Sequence, residues 1–127
     1  MKKRMIDTIV IHCSATEFGN RELFSRWHKK LGWDDVGYHF IITNSYPTKR
    51  SWYEKKPDFR SDGKVEKGRP VEMTGAHVRL HNESTIGICL VGERTFTSKQ
   101  FSSLKKLVAL LCIEHQIISI KGHYEFD

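Results

Sequence analysis

The chain reads as an α/β domain, a central mixed β-sheet flanked by helices. Three observations predict this. Runs of β-formers alternate with amphipathic helical stretches along the chain. The two strongest runs, "TIVIHC" at 8–13 and "STIGICLVG" at 84–92, have almost no polar face, as strands covered on both sides do. The 127 residues, 39% of them hydrophobic, suffice for one core, and no repeat or low-complexity segment divides them.

The first strand, 8–13, sets Ile9, Ile11 and Cys13 on one face and Thr8, Val10 and His12 on the other. "NRELFSRWHKKLGW" is a helix with Asn20 as N-cap, an apolar stripe of Leu23, Phe24, Trp27 and Leu31, and Gly32 as its stop. His28 falls off that stripe and reads as a surface residue, and Asp34 and Asp35 read as turn residues. "GYHFIITN" at 37–44 is a second strand, with Tyr38, Phe40 and Ile42 on one face and His39 and Ile41 on the other.

Residues 45–61, "SYPTKRSWYEKKPDFRS", are polar, basic and aromatic, and read as an extended loop or long hairpin arm. Asp62-Gly63 is a tight turn into a short strand around 64–66. After the buried strand at 84–92, "FTSKQFSSLKKLVALLCIEHQ" gives the clearest helix. Thr97 and Gln100 match a capping box, Phe96 and Phe101 a hydrophobic staple, and Leu104, Val108, Leu111 and Cys112 a buried stripe. "IISIKGHYEFD" supplies a last strand running into His123.

Twenty-one Lys+Arg against 15 Asp+Glu leave a formal charge of +6, which suits an anionic polymer or a solvated basic surface. No apolar run approaches the roughly 20 residues of a membrane span. The apolar stretch near the N-terminus is broken by Asp7 and His12, unlike a signal peptide, so a cytoplasmic protein that does not engage membranes is expected. Cys13, Cys89 and Cys112 form no CxxC pair and read as reduced core thiols. The interleaving of Lys49, Arg50, Lys55, Lys56 and Arg60 with Trp52, Tyr53 and Phe59 suits glycan or nucleic-acid contact, or a solvated loop anchored by its rings.

Seven histidines are present, and a lone histidine is most often structural; His28, His39, His81 and His115 are read so. His12 and His123 differ because each stands at the end of a strand. If those strands are neighbours, the two imidazoles meet at one edge of the sheet.

Five phrases together carry a resemblance: "IVIHCSAT", "RELFSRWHKKLGWDDVGYHFII", "VEKGRPVEMTGAH", "HNESTIGICLVG" and "GHYEFD". In order and spacing they resemble the zinc-dependent N-acetylmuramoyl-L-alanine amidases, nearest to the branch of T7-type phage lysozymes and further from peptidoglycan recognition proteins. Only 45–61 stands out as an insertion. The resemblance implies that fold, a peptidoglycan substrate, and cleavage of the amide between N-acetylmuramic acid and L-alanine of the stem peptide. It implies Zn2+ held by His12 and His123, a catalytic Tyr38, and a substrate groove lined by His77 and Asn82. A polymerase-binding role is known in that branch, so an RNA polymerase is a further candidate partner; nucleic acid is not expected to be one.

The chemistry is consistent with the donors. An amide is a poor electrophile and neutral water a poor nucleophile, and zinc corrects both, lowering the pKa of bound water from ~15.7 to ~7. Catalytic zinc takes three protein ligands. The family's third, a Cys or Asp eight to ten residues past the second His, and the Lys two before that Cys, are expected beyond Asp127. Cys13 points to the opposite face from His12, and Glu125 or Asp127 would need unusual geometry to replace the missing ligand. Weak zinc affinity and little turnover are therefore expected of residues 1–127, with a peptidoglycan-binding module as the alternative.

Overall fold

The computed structural model describes residues 4–126, the side chain of Phe126 excepted. Met1–Lys3 of the basic N-terminus and Asp127, one of the substitute ligands considered, lie outside the described residues.

Five strands form one sheet: β1 (Thr8–Cys13), β2 (Phe40–Ile42), β3 (Val65–Lys67), β4 (Thr85–Leu90) and β5 (Ser119–Gly122), in the order β3-β2-β4-β1-β5. β1 lies between β4 and β5 and runs parallel to both, β2 runs parallel to β4, and β3 closes the far edge antiparallel to β2. The first and last strands are thus neighbours, and the C-terminal ends of β1, β2, β4 and β5 share one edge of the sheet. Ligands bind at such an edge in open α/β sheets.

Helix α1 (Arg21–Lys30) covers one face of the sheet and α3 (Ser98–Glu114) the other. Asn20 accepts from the Leu23 N–H at 2.8 Å and starts α1. Gly32, at φ +92°, stops it: the Gly32 N–H donates to Lys29 O and the Trp33 N–H to His28 O, the double bond of a Schellman ending. On that face Phe24, Val36, Ile41, Cys89 and Val91 are buried together. On the other, Ile9, Phe40, Ile42, Ile86, Ile88 and Leu90 pack against Leu107 and Leu111 of α3. Each such aliphatic side chain stabilises the fold by about 1.5–3 kcal/mol.

The capping box of α3 forms as its sequence predicts: Thr97 Oγ1 accepts the Gln100 N–H at 3.0 Å, and Gln100 Oε1 accepts the Thr97 N–H at 2.9 Å. Gln100 does more. It is fully buried, and its Nε2 donates to Ile42 O at 3.1 Å and Val91 O at 2.9 Å, tying α3 to the ends of β2 and β4.

Several expectations are corrected. Residues 45–61 are not extended: they hold a short helix, α2 (Lys49–Tyr53), opened by a Thr48–Ser51 capping box, and a 3₁₀ turn at Phe59–Ser61. The strand near 64–66 sits one residue later. Tyr38 does not share the face of Phe40 and Ile42. It precedes β2, where the chain is still turning, and packs, as Trp27 does, against the buried cluster on the α1 side. Leu31 and Phe101 are exposed rather than core, Leu31 because it lies at the helix end, Phe101 because its staple contact with Phe96 forms at the surface. Of the cysteines only Cys89 is buried. Cys13 ends its strand in solvent, and Cys112 lies off the buried line of α3.

Candidate active site

His12 and His123 meet. His12 is the fifth residue of β1, and His123 opens a 3₁₀ turn (His123–Phe126) directly after β5. Parallel pairing of the two strands brings their ring centroids to 4.6 Å. His12 is 5% exposed, whereas His123 faces solvent, so the pair runs from the sheet to the surface.

Inward from His12 the imidazoles continue. His12 Nε2 lies 2.8 Å from His77 Nδ1, with the rings edge-on at 4.9 Å. His77 Nε2 lies 3.1 Å from the Thr85 hydroxyl. His39 follows, its ring centroid 5.7 Å from that of His77. Each member has a local reason for its place. His12 is paired with Cys89 across the sheet, and Gly87, two residues back on β4, leaves room for the His77 ring to lie flat against the backbone. A Cβ at Gly87 would stand 2.6 Å from His77 Cγ.

The loop carrying His77 is fastened by Asn82, whose Oδ1 accepts the backbone N–H groups of His77 and Val78 at 2.9 and 2.8 Å. Arg4 fastens it from below, donating to Val71 O, Glu83 O and Thr85 O. His39 Nδ1 accepts the Gly87 N–H at 3.0 Å and its Nε2 lies 2.8 Å from Met73 O.

Burial disfavours charge on all three inner rings. It holds His12 down to about 3, with His123 adding to the shift, His39 to about 4, and His77 to about 2, with His12 and His39 adding. At neutral pH these are neutral imidazoles, the form in which a histidine binds a metal.

Tyr38 stands beside His12 with ring centroids 5.2 Å apart. Burial, then the neighbouring Cys89 thiol, pushes its phenol above the ordinary value, so it remains a hydrogen-bond donor. His28, expected at the surface, is half-buried behind it. Its Nδ1 accepts the Gly37 N–H at 2.9 Å, and its ring packs on Trp33 at 4.6 Å and Tyr38 at 5.7 Å. The helix stripe alone does not show this, because the partner is a turn that folds back over the open side of α1.

The structure thus brings His12, His123, Tyr38 and His77 together, with Asn82 behind His77. It adds His39, Thr85, Gly87 and His28. Thr85 and Gly87 are legible in hindsight, since period-2 alternation along β4 sets them on the face of Cys89, which His12 opposes.

The donor chemistry fits two ligands of a zinc ion: adjacent imidazoles at a sheet edge, one of them anchored through its other nitrogen. Among the described residues no third His, Cys, Asp or Glu joins them in a metal-holding group. Glu125, the described substitute, has its Oε2 3.1 Å from the Gly122 N–H, a contact within its own turn.

Comparison with known proteins agrees with this geometry. A family model described as N-acetylmuramoyl-L-alanine amidase matches residues 2–127. The endolysin of Escherichia phage T7 is 35% identical over 136 residues, covering 98% of this chain and 78% of that protein. N-acetylmuramoyl-L-alanine amidase LysC from Clostridium intestinale URNW has a TM-score of 0.81 at 26% identity, covering 98% of this chain and 74% of the other. A Drosophila PGRP-LB mutant solved with tracheal cytotoxin has a TM-score of 0.76 at 20% identity over 98% of this chain and 73% of its own, a likeness of fold. A match across almost every residue and a relative this similar leave one assignment: the chain belongs to the N-acetylmuramoyl-L-alanine amidase family.

Proposed function

We propose that the protein is a peptidoglycan amidase of the endolysin type, hydrolysing the amide between N-acetylmuramic acid and L-alanine at the edge formed by His12, Tyr38 and His123. The observation that carries this reading is the meeting of His12 and His123, 111 positions apart in the sequence, at the C-terminal ends of two adjacent parallel strands.

His12 and His123 would hold Zn2+, which supplies an activated water and a polarised carbonyl when bound. The chain's own residues do the rest. His12 is kept neutral by burial and kept in place through His77. The protonated phenol of Tyr38, held against His28, donates to the carbonyl oxygen as negative charge develops there; one such donor is typically worth about 10²-fold or more. His77 and Asn82 form the wall beside this centre. With the Asn82 oxygen engaged by the His77 and Val78 N–H groups, its carboxamide nitrogen is the group through which that wall would meet the stem peptide.

Calorimetric zinc titration beside turnover of a muramoyl-peptide tests the reading. The paired imidazoles predict zinc binding that His12→Ala and His123→Ala each abolish, and amide cleavage that rises as zinc is added. Saturable muropeptide binding that is insensitive to chelator, without cleavage at any zinc concentration, would assign a binding module instead.

A further inference from the structure

The contacts running inward from His12 form a directed chain that ends on a group with only one choice. His81 O is a carbonyl and can only accept. The Thr85 hydroxyl lies 2.8 Å from it, so Thr85 donates there and presents its lone pairs elsewhere. At 2.8 Å the hydroxyl proton must lie between the two oxygens, because two bare lone pairs at that distance would repel each other.

His77 Nε2, at 3.1 Å from Thr85 Oγ1, is therefore the donor of that pair. In a neutral imidazole one nitrogen donates and the other accepts. His77 Nδ1 must then accept, and its partner at 2.8 Å, His12 Nε2, must carry the proton. His12 is left with an unprotonated Nδ1. A free histidine samples both tautomers in water, and the order of this chain fixes one.

We infer that Thr85 is a positioning residue, which through His77 locks His12 in its Nε2–H tautomer and leaves the Nδ1 lone pair as the one offered to the site. The consequence for catalysis rests on the amidase reading above; the tautomer does not. A histidine held through its far nitrogen is a preoriented ligand, and loss of such outer partners typically lowers metal affinity 10- to 100-fold. The methyl group of Thr85 has no part in this, so serine suffices and valine does not.

The test is a long-range ¹H–¹⁵N correlation spectrum of the imidazoles in the metal-free, ¹⁵N-labelled protein near pH 7.5, for wild type, Thr85→Ser and Thr85→Val. Wild type and Thr85→Ser should show His12 protonated at Nε2 and bare at Nδ1. Thr85→Val should show a mixture of tautomers at His12 and His77, with zinc affinity measured by calorimetry falling about tenfold or more. A wild-type His12 protonated at Nδ1 overturns the inference outright, whether or not Thr85→Val folds. So does a folded Thr85→Val that keeps the wild-type tautomer and affinity. The expected tautomer with no amide cleavage under any condition would instead leave this inference standing and remove the amidase reading.

Discussion

Gly87→Ala adds one methyl group at the point where the His77 ring lies on the sheet. The new Cβ would stand 2.6 Å from His77 Cγ and 2.7 Å from Cδ2 and Nδ1, against the ~3.4 Å of ordinary contact. The ring must therefore retreat by about 0.8 Å. Its two hydrogen bonds, 2.8 Å to His12 and 3.1 Å to Thr85, run near the ring plane, so a retreat along the ring normal bends and weakens both rather than breaking them. Up to about 1 kcal/mol for each weakened bond, plus about 1–3 kcal/mol for overpacking, gives a loss of about 1–5 kcal/mol. Urea unfolding of the metal-free protein reads this directly. The cause is isolated by a cycle with His77→Ala: once the ring is gone, Gly87→Ala should cost less than about 0.5 kcal/mol. Equal costs of Gly87→Ala in the two backgrounds would refute the claim that Gly87 exists to seat His77.

Other perturbations probe separate parts of the account. Gln100→Leu removes the donor to two strand-end carbonyls inside the core and should destabilise the fold by about 2–4 kcal/mol in denaturant unfolding while leaving the His12–His123 contact intact. Tyr38→Phe should lower turnover about 10²-fold with a stability change below about 1 kcal/mol, and an unchanged rate would remove Tyr38 from the chemistry. The metal-free protein should be acid-sensitive. His12, His39 and His77 titrate in the folded state at about 3, 4 and 2, below the 6.5 of the unfolded chain, so the unfolded state gains protons first. Their contribution is complete above pH 6.5 and drains as pH falls from there toward about 4 for His39, 3 for His12 and 2 for His77, by up to about 1.4 kcal/mol per pH unit for each ring. Urea midpoints at pH 7.5, 6 and 5 should fall accordingly, and His39→Gln should flatten the slope.

What the sequence showed in advance follows physical range. Buried strands and the capped α3 were legible because alternation and capping are local, and Thr97 and Gln100 sit three residues apart. The pairing of β1 with β5 was legible only as a possibility, since register is set across the chain. Tyr38 was placed on the wrong face because alternation was extended past the start of β2 into a turn. His28 was read as a surface residue, His39 as structural, and Thr85 was not singled out, for a related reason: their partners, Gly37, Gly87 and His77, lie on other strands or in loops. The helix at Lys49–Tyr53 was masked by the charge and prolines around it, although Thr48 and Ser51 carry its cap.

The bond of peptidoglycan that breaks at the His12–His123 edge defines the enzyme. Mass spectrometry of sacculi digested in the presence of excess zinc identifies it. The prediction is stem peptides released with a free L-alanine amino group and glycan strands left uncut, both lost in His12→Ala. New reducing sugar ends, cuts within the stem peptide, or release that persists in His12→Ala would contradict it.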